Sequence, residues 1–423
     1  MHADELTRQK RPQFWNVVPN NLTPHPRSGH KGAANSTDFY IWGGYCPRSD
    51  VILSDRHYSA IQPLVFFELW RFNYATLSWN ICSHFGDVPN IGAASCAVCL
   101  DNNILYVYGG TGYPFAHSVS NDLYACDLST YEWKKLKLTG DRLPKAYGSS
   151  IAIVGNHLYI LFGTNGFVFY SAVYQIDTKT YRCKKVCSTL REKELNGING
   201  GRYRQEIAVK DNQIFVFGGA GSEDNFGFKH IPVFNTTTYK WFWKTAKPDQ
   251  DFGYPYHRKF HCVIKCDDDV YMFGGLEDDQ EQPKSASSRY IWKYNFTTNK
   301  WNRTDSRLPQ RIYFQASGIT ENGQLFYHGG IVSECASLKR SSRLYSAWIK
   351  VPKLFDYLIM AMANKKSDTN PNYMITRRRF QLISNYTVPN FISRRIEPSK
   401  SLDETSDSDL DLSTPTPKRN RNI

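Results

Sequence analysis

No stretch of this 423-residue sequence approaches the roughly eighteen consecutive apolar residues of a membrane-crossing helix, so no membrane span is expected. The first residues, Met1-His2-Ala3-Asp4-Glu5, are polar and lack the pattern of a secretory signal. Without secretion, the ten cysteines read as reduced thiols, and the expected location is cytoplasmic and nuclear. The Asn-x-Ser/Thr triplets at Asn21, Asn302 and Asn385 then read as chance matches. The sequence also lacks a Gly-x-Ser-x-Gly turn, a His-rich metal spacing and a phosphate loop. Nothing in it asks for catalysis, a cofactor or a metal. Cys96-x-x-Cys99 resembles half a zinc site, but on a strand a spacing of three sends the two side chains to opposite faces.

What the sequence has is repetition. A short aromatic β-run ending in glycine recurs six times. The runs are Phe39–Trp42 before Gly43-Gly44, Leu105–Tyr108 before Gly109-Gly110 and Leu158–Phe162 before Gly163. They continue with Ile214–Phe217 before Gly218-Gly219, Val270–Phe273 before Gly274-Gly275 and Leu325–His328 before Gly329-Gly330. Successive first glycines are 66, 54, 55, 56 and 55 residues apart. A period near fifty carrying Gly-Gly is the signature of kelch repeats, each one a four-stranded blade of a β-propeller. The fold class is therefore all-β: a six-bladed kelch β-propeller over residues 13–350, followed by a short α-helical C-terminal extension.

The rest of each repeat agrees. A second β-run ends in Asp or Asn, and an anchor follows six residues later: Asn73/Trp79, Asp127/Trp133, Asp177/Cys183, Asn235/Trp241 and Asn295/Trp301. Asp and Asn suit the turn because their side chains bond nearby backbone. The large aromatic packs between blades. The third unit is least regular, with Cys183 for Trp and Thr164 for the second glycine. The sixth unit shows only three strand-like runs, and Phe14–Val18, before the first unit, is expected to supply the fourth. Residues 1–12 are expected to form a flexible arm, with 13–18 closing the ring.

The formal net charge of +13 is unevenly placed. Residues 339–400 hold 13 Lys/Arg against 3 Asp/Glu, and residues 401–423 hold 3 against 5. The excess belongs to the C-terminal extension, where no nucleic-acid-binding motif accompanies it. Nucleic acid is not an expected partner. A solvated basic face touching an acidic partner is the plainer reading.

Within a blade the strands run up and down, so loops entering the first strand and loops leaving the glycines share one end of the propeller. Arg27, Arg202 and Arg258 lie there in one register, each sixteen residues before its first glycine. Arg204 follows two residues on, on the same side of a regular strand. Tyr147 holds the register in the third repeat. Guanidinium groups bond planar carboxylates bidentately, so these arginines are expected to form an anion site at the channel mouth. Capping of backbone carbonyls is the structural alternative. His30 and His261 recur three residues after their arginines, which marks them as scaffold.

After the ring, Pro352 precedes a stretch with apolar residues at 354, 357, 358 and 361, the spacing of a helix. Val388-Pro389 opens a second such segment, with Ile392 and Ile396 in step. Residues 397–423 are low in complexity and are expected to be disordered.

Arg27-Ser28-Gly29-His30, Glu68-Leu69-Trp70-Arg71, Gly109-Gly110-Thr111-Gly112, Arg202-Tyr203-Arg204-Gln205-Glu206 and Val351-Pro352 together resemble the kelch-repeat substrate receptors of cullin 2 RING ubiquitin ligases. The resemblance covers roughly residues 24–396. It implies a non-catalytic adaptor that reads the extreme C-terminus of clients, typically ending in glycine. It implies that Leu354, Tyr357, Leu358 and Met362 form a box for elongins B and C, and that Val388, Pro389 and Ile392 form a cullin box, all within 351–396. It places a client's terminal carboxylate on Arg202, Arg204, Arg258 and Arg27, with Tyr147 and Tyr203 as pocket wall. A second class of function stays open: a non-degradative scaffold in stress signalling that binds a phosphatase or kinase.

Overall fold

In the computed structural model, residues 13–19, 22–47, 64–187, 201–222, 225–277, 288–333 and 338–352 are described. All regular elements among them are β-strands. Six antiparallel units follow one another along the chain. From the inside outward, blade one is Lys31–Ala34, Asp38–Trp42, Leu69–Asn73 and Ser78–Ile81. Blade two is Ala97–Asp101, Ile104–Tyr108, Leu123–Asp127 and Glu132–Lys135. Blade three is Ser150–Val154, His157–Leu161, Val173–Asp177 and Arg182–Cys187. Blade four is Glu206–Lys210, Gln213–Phe217, His230–Asn235 and Lys240–Thr245. Blade five is Cys262–Cys266, Asp269–Phe273, Tyr290–Asn295 and Lys300–Arg307. Blade six takes Ala316–Ile319, Gln324–His328 and Leu344–Trp348, and its outer strand, Trp15–Val17, comes from the start of the chain. Trp15 pairs with Ser346 and Val17 with Leu344. The six inner strands touch in closed order, the sixth against the first. The chain is a six-bladed kelch propeller.

The glycines explain the closure. In five blades the N–H of the second glycine donates to a carbonyl of the next blade. The bonds are Gly44 to Ala93, Gly110 to Ala146, Gly219 to Arg258, Gly275 to Ile312 and Gly330 to Arg27, at 2.8–2.9 Å. Blade three makes the same link from Gly163 to Arg202 at 2.7 Å, so Gly163 is the second glycine of its pair, Phe162 at φ +60° stands for the first, and Thr164, expected in the second glycine's place, is the residue after it. The approach leaves no room for a side chain. At Gly43, with φ +75°, a Cβ would lie 2.1 Å from the Ala93 oxygen.

The core lies between blades. Each of six apolar clusters draws on two neighbours. The anchors Trp79, Trp133 and Trp301 are buried within them, as is Cys183 in blade three. Trp241 is half-buried and packs on Phe162 and Phe234. Each anchor follows a turn made by the expected Asp or Asn. The Asn73 side-chain oxygen accepts from the N–H groups of Ala75 and Thr76, and Asp177 does the same for Lys179 and Thr180. Truncating one buried tryptophan to alanine removes contacts worth about 3–5 kcal/mol and opens a seam between blades.

The helices expected after Pro352, with Leu354, Tyr357, Leu358, Met362, Val388, Pro389 and Ile392, lie outside the described residues. So do the 1–12 arm and the 397–423 tail.

Candidate functional site

The four arginines do not act alike. Arg27 and Arg258 are fully buried and face inward. The Arg27 guanidinium donates to the Gly43 carbonyl at 3.1 Å and to Glu68 at 2.9 Å, and it stacks 3.9 Å over Phe66. Arg258 donates to the Gly274 carbonyl at 3.2 Å and pairs with Glu277. Burial alone pushes the Glu68 carboxyl up, but Arg27 and the indole N–H of Trp70 hold it below its usual range. Burial lowers Arg258, and Glu277 opposes that. Each of these arginines therefore stitches its blade, bonding its own first glycine through the side chain and accepting from the previous blade's glycine through its carbonyl. The expected convergence of all four on the channel mouth is corrected to this extent. Two already hold a carboxylate from their own blade, Glu68 for Arg27 and Glu277 for Arg258.

Arg202 makes the same stitch. Its guanidinium donates to Gly218 at 3.0 Å and lies 3.7 Å over Phe226. The side chain is buried, its Nε has no partner, and among the described residues no carboxylate meets it. Burial lowers it to about 9. The repeat thus carries two arginines with a carboxylate in place and one without.

Arg204 is different again. The expectation of a regular strand through Arg202 and Arg204 does not hold, because Arg204 has φ +57° and its side chain turns away. The same left-handed kink occurs once per blade, at Gly29, Ser95, Gly148, Arg204, Phe260 and Phe314. These residues bond one another around the axis. The N–H of Gly29 donates to Phe314, Ser95 to Gly29, Gly148 to Ser95, Arg204 to Gly148 and Phe314 to Phe260, at 2.7–3.1 Å. This girdle narrows the channel at the loop-bearing end. Across it runs the Arg204 side chain, from blade four to the Ser95 hydroxyl of blade two, with its guanidinium 4.6 Å over the Phe314 ring of blade six. Its Nε has no partner. Deeper in, Lys31 of blade one meets Glu206 of blade four at 2.5 Å, a second bar across the channel.

Aromatic rings surround the mouth. Tyr147 and Tyr203 are half-buried and meet edge to face at 5.5 Å. Tyr203 also touches Phe169 and Phe260, and Phe260 stacks on Phe314 at 3.9 Å. A neighbouring cluster joins Tyr45, Tyr113 and Phe115, the last two about half exposed. The arrangement offers buried cationic donors beneath an aromatic rim. Chemically, it can accept a negatively charged group. Among the described residues no cluster of His, Cys, Asp or Glu could hold a metal. Burial pushes the Cys96 thiol up to about 11 and the Cys99 thiol to about 12.

The register reading found the four arginines but not their partners. Ser95, Phe226, Phe314 and Lys31 were not singled out, and Glu68 and Glu206 stood only within the stretches that carry the family resemblance, without a role. Glu68 had a signal: it is the carboxylate standing immediately before the third strand of blade one. Ser95 and Phe314 had none beyond the repeat itself, since their role depends on a backbone kink.

Comparison with known proteins agrees with this architecture. The KLHDC2/KLHL20/DRC7 kelch-repeats domain model matches residues 29–196 and 189–346. Kelch domain-containing protein 10 of Rattus norvegicus is 31% identical over 340 residues, covering 80% of this chain and 79% of the relative. The Homo sapiens protein of that name is 31% identical over 334 residues, 79% of this chain and 72% of the relative. A Drosophila melanogaster homolog is 35% identical over 351 residues, 78% of this chain and 56% of the relative.

Proposed function

The chain belongs to the kelch domain-containing protein 10 family, and from that premise we propose that it is the substrate-recognition adaptor of a cullin 2–elongin B/C ubiquitin ligase, active in cytoplasm and nucleus. At the coarser level it is a kelch-repeat protein-binding scaffold. Clients are captured at the channel mouth by a C-terminal carboxylate, with glycine as the last residue. The observation that carries this reading is internal to the repeat. Arg27 and Arg258 hold the carboxylates of Glu68 and Glu277, whereas Arg202, in the same register, meets none among the described residues, with Arg204 beside it. A client's terminal carboxylate takes the place that a glutamate takes in blades one and five. Arg27 and Arg258 then shape the site without touching the client. Both Arg202 and Arg204 lie below the surface, so the entering residue must be slim, and glycine admits its backbone without a side chain. Tyr147 and Tyr203 wall the residue before it.

The test has two arms. A client peptide ending in glycine is compared as free acid and as amide. Amidation leaves a buried guanidinium unpaired, and binding should weaken by about 2–5 kcal/mol, roughly thirtyfold or more. Equal affinity for both forms removes the carboxylate site. In the second arm, the chain is recovered from cell extract and probed for elongins B and C and cullin 2. Their absence, or their retention by Leu354→Asp, removes the adaptor reading and leaves a scaffold that binds a phosphatase or kinase.

A further inference from the structure

The outer edges of blades two, three and five are finished by a device that blade four lacks among the described residues. In blades two, three and five, the linker from the preceding blade runs beside the outermost strand and ends in Gly-Asp or Pro-Asp. Phe85-Gly86 pairs in parallel with Glu132-Trp133, and Thr139-Gly140 with Arg182-Cys183. Lys247 bridges Lys300 in the same sense. The aspartate that follows then accepts an outward-pointing backbone N–H two residues past the anchor. Asp87 accepts from Lys135 at 3.1 Å, Asp141 from Lys185 at 2.7 Å and Asp249 from Arg303 at 2.8 Å. In blade five the anchor's own N–H is also met, Trp301 donating to Lys247 at 2.9 Å.

Among the described residues, blade four has the strand but not the finish. Its outer strand, Lys240–Thr245, pairs only with His230–Asn235 among the described residues. The linker that precedes this blade, 188–200, contains no aspartate. By register, the outward N–H groups are those of Trp241 and Trp243. An aromatic strand with an open edge is a template for another strand. Its two faces also differ. Lys240, Phe242 and Lys244 alternate with Trp241, Trp243 and Thr245. Lys184 of blade three adds a further positive charge, lying 5.7 Å over the Tyr239 ring.

One segment of this chain has the matching pattern. In 407–412 the residues Asp407, Asp409 and Asp411 alternate with Ser408, Leu410 and Leu412. As a strand, that segment is acidic on one face and largely apolar on the other. We propose that residues 406–412 add to the open edge of blade four as a fifth strand, with the aspartates beside Lys240 and Lys244 and the leucines beside Trp241 and Trp243. Cross-strand pairs of opposite charge and of apolar side chains are the kind that stabilise such an addition. Reach permits it. About 55 residues separate Pro352 from Asp407, and a coil of that length spans about 40 Å. That exceeds the radius of gyration of about 20 Å expected for a body of some 340 residues. Tethering raises the effective concentration enough for a short strand to hold. The proposal is independent of what the channel mouth binds.

Hydrogen exchange of the Trp241 and Trp243 amides in the full chain tests it. Both should be protected. In the full chain carrying Asp407→Lys, Asp409→Lys and Asp411→Lys they should exchange about tenfold faster or more, with the melting temperature unchanged. Adding Lys240→Glu and Lys244→Glu to that variant should restore protection. Slow exchange in both the native chain and the triple variant means that linker 188–200 covers the edge, and it overturns the proposal. Fast exchange in both means the tail does not dock, and it does the same. Protection that disappears on dilution assigns the edge to a second copy, which also overturns it.

Discussion

Replacing Arg258 by methionine separates a stitch from a binding residue. The side chain is fully buried, and its loss leaves the Gly274 carbonyl without its donor and Glu277 without its counter-ion. Glu277 is itself 14% exposed at the side chain, so water relieves only part of the cost. Removing one partner of a buried pair costs about 3–5 kcal/mol, and the orphaned carbonyl brings the total toward the upper end. Glu277→Leu alone strands the guanidinium and costs a similar amount. The double variant removes both charges, so it should be about 2–3 kcal/mol more stable than the sum of the two singles predicts. Urea unfolding followed by tryptophan fluorescence gives all three numbers. Peptide affinity, measured on the variants that fold, should be nearly unchanged. Arg204→Met should behave in the opposite way: one hydrogen bond to Ser95 is lost, about 1–2 kcal/mol of stability, while carboxylate preference disappears. If Arg258→Met costs under about 1 kcal/mol, or the cycle is additive, the stitch is not what holds blade five to its glycine.

Two further outcomes follow from the ring. Val17 is buried in blade six, so Val17→Asp should cost several kcal/mol and deletion of residues 1–18 should leave an edge that aggregates; sedimentation and melting check both, and a monomeric deletion chain with an unchanged melt refutes the closure. His30, His261 and His328 are buried and neutral, with burial the main cause and His328 lowered to about 3, so each folded value lies below the unfolded 6.5. The unfolded chain then binds more protons, and stability should be full above about pH 6.5 and fall as pH drops toward 3, by up to about 1.4 kcal/mol per pH unit per histidine. His328→Gln should flatten that slope, and a denaturation midpoint constant from pH 7.5 to 5 contradicts the burial of neutral imidazoles.

The propeller was legible in the sequence because its glycines do a geometric job that no other residue can do. A carbonyl of the next blade sits where a Cβ would be, so Gly43 and its counterparts recur at the blade period and announce it. The Asn73-type turns and the anchors six residues later were legible for the same reason: each is a local hydrogen-bonding pattern followed by a fixed register. The arginines were visible as a register, but their roles were not. Period two holds only along extended backbone, and the kink at Arg204 breaks it between Arg202 and Arg204. The partners of Arg27 and Arg258 lie 41 and 19 residues away, Glu68 beyond a long insert and Glu277 across the inner hairpin of blade five, and the glycine register marks neither.

A repeat that buries an arginine must solve the same electrostatic problem at every copy. A desolvated guanidinium is costly unless something answers its charge. Blades one and five answer it with glutamates, and blade four places Phe226 against the guanidinium plane. A ring face offers some cation–π attraction but leaves Nε without an acceptor. The unpaired stitch is therefore the position where an outside carboxylate gains most, because it completes an interaction the fold has already oriented. Blades two, three and six avoid the problem by placing Ala93, Ala146 and Ile312 in that register, so Tyr147, expected there, falls one residue on, level with Tyr203. Among the described residues this leaves blade four as the place where ring geometry and unmet charge coincide, so transplanting the carboxylate should compete with a ligand. Phe226→Glu should stabilise the propeller by pairing with Arg202 and should weaken binding of a glycine-ended peptide as amidation does. A variant that gains stability but binds the free-acid peptide with undiminished affinity places the carboxylate elsewhere.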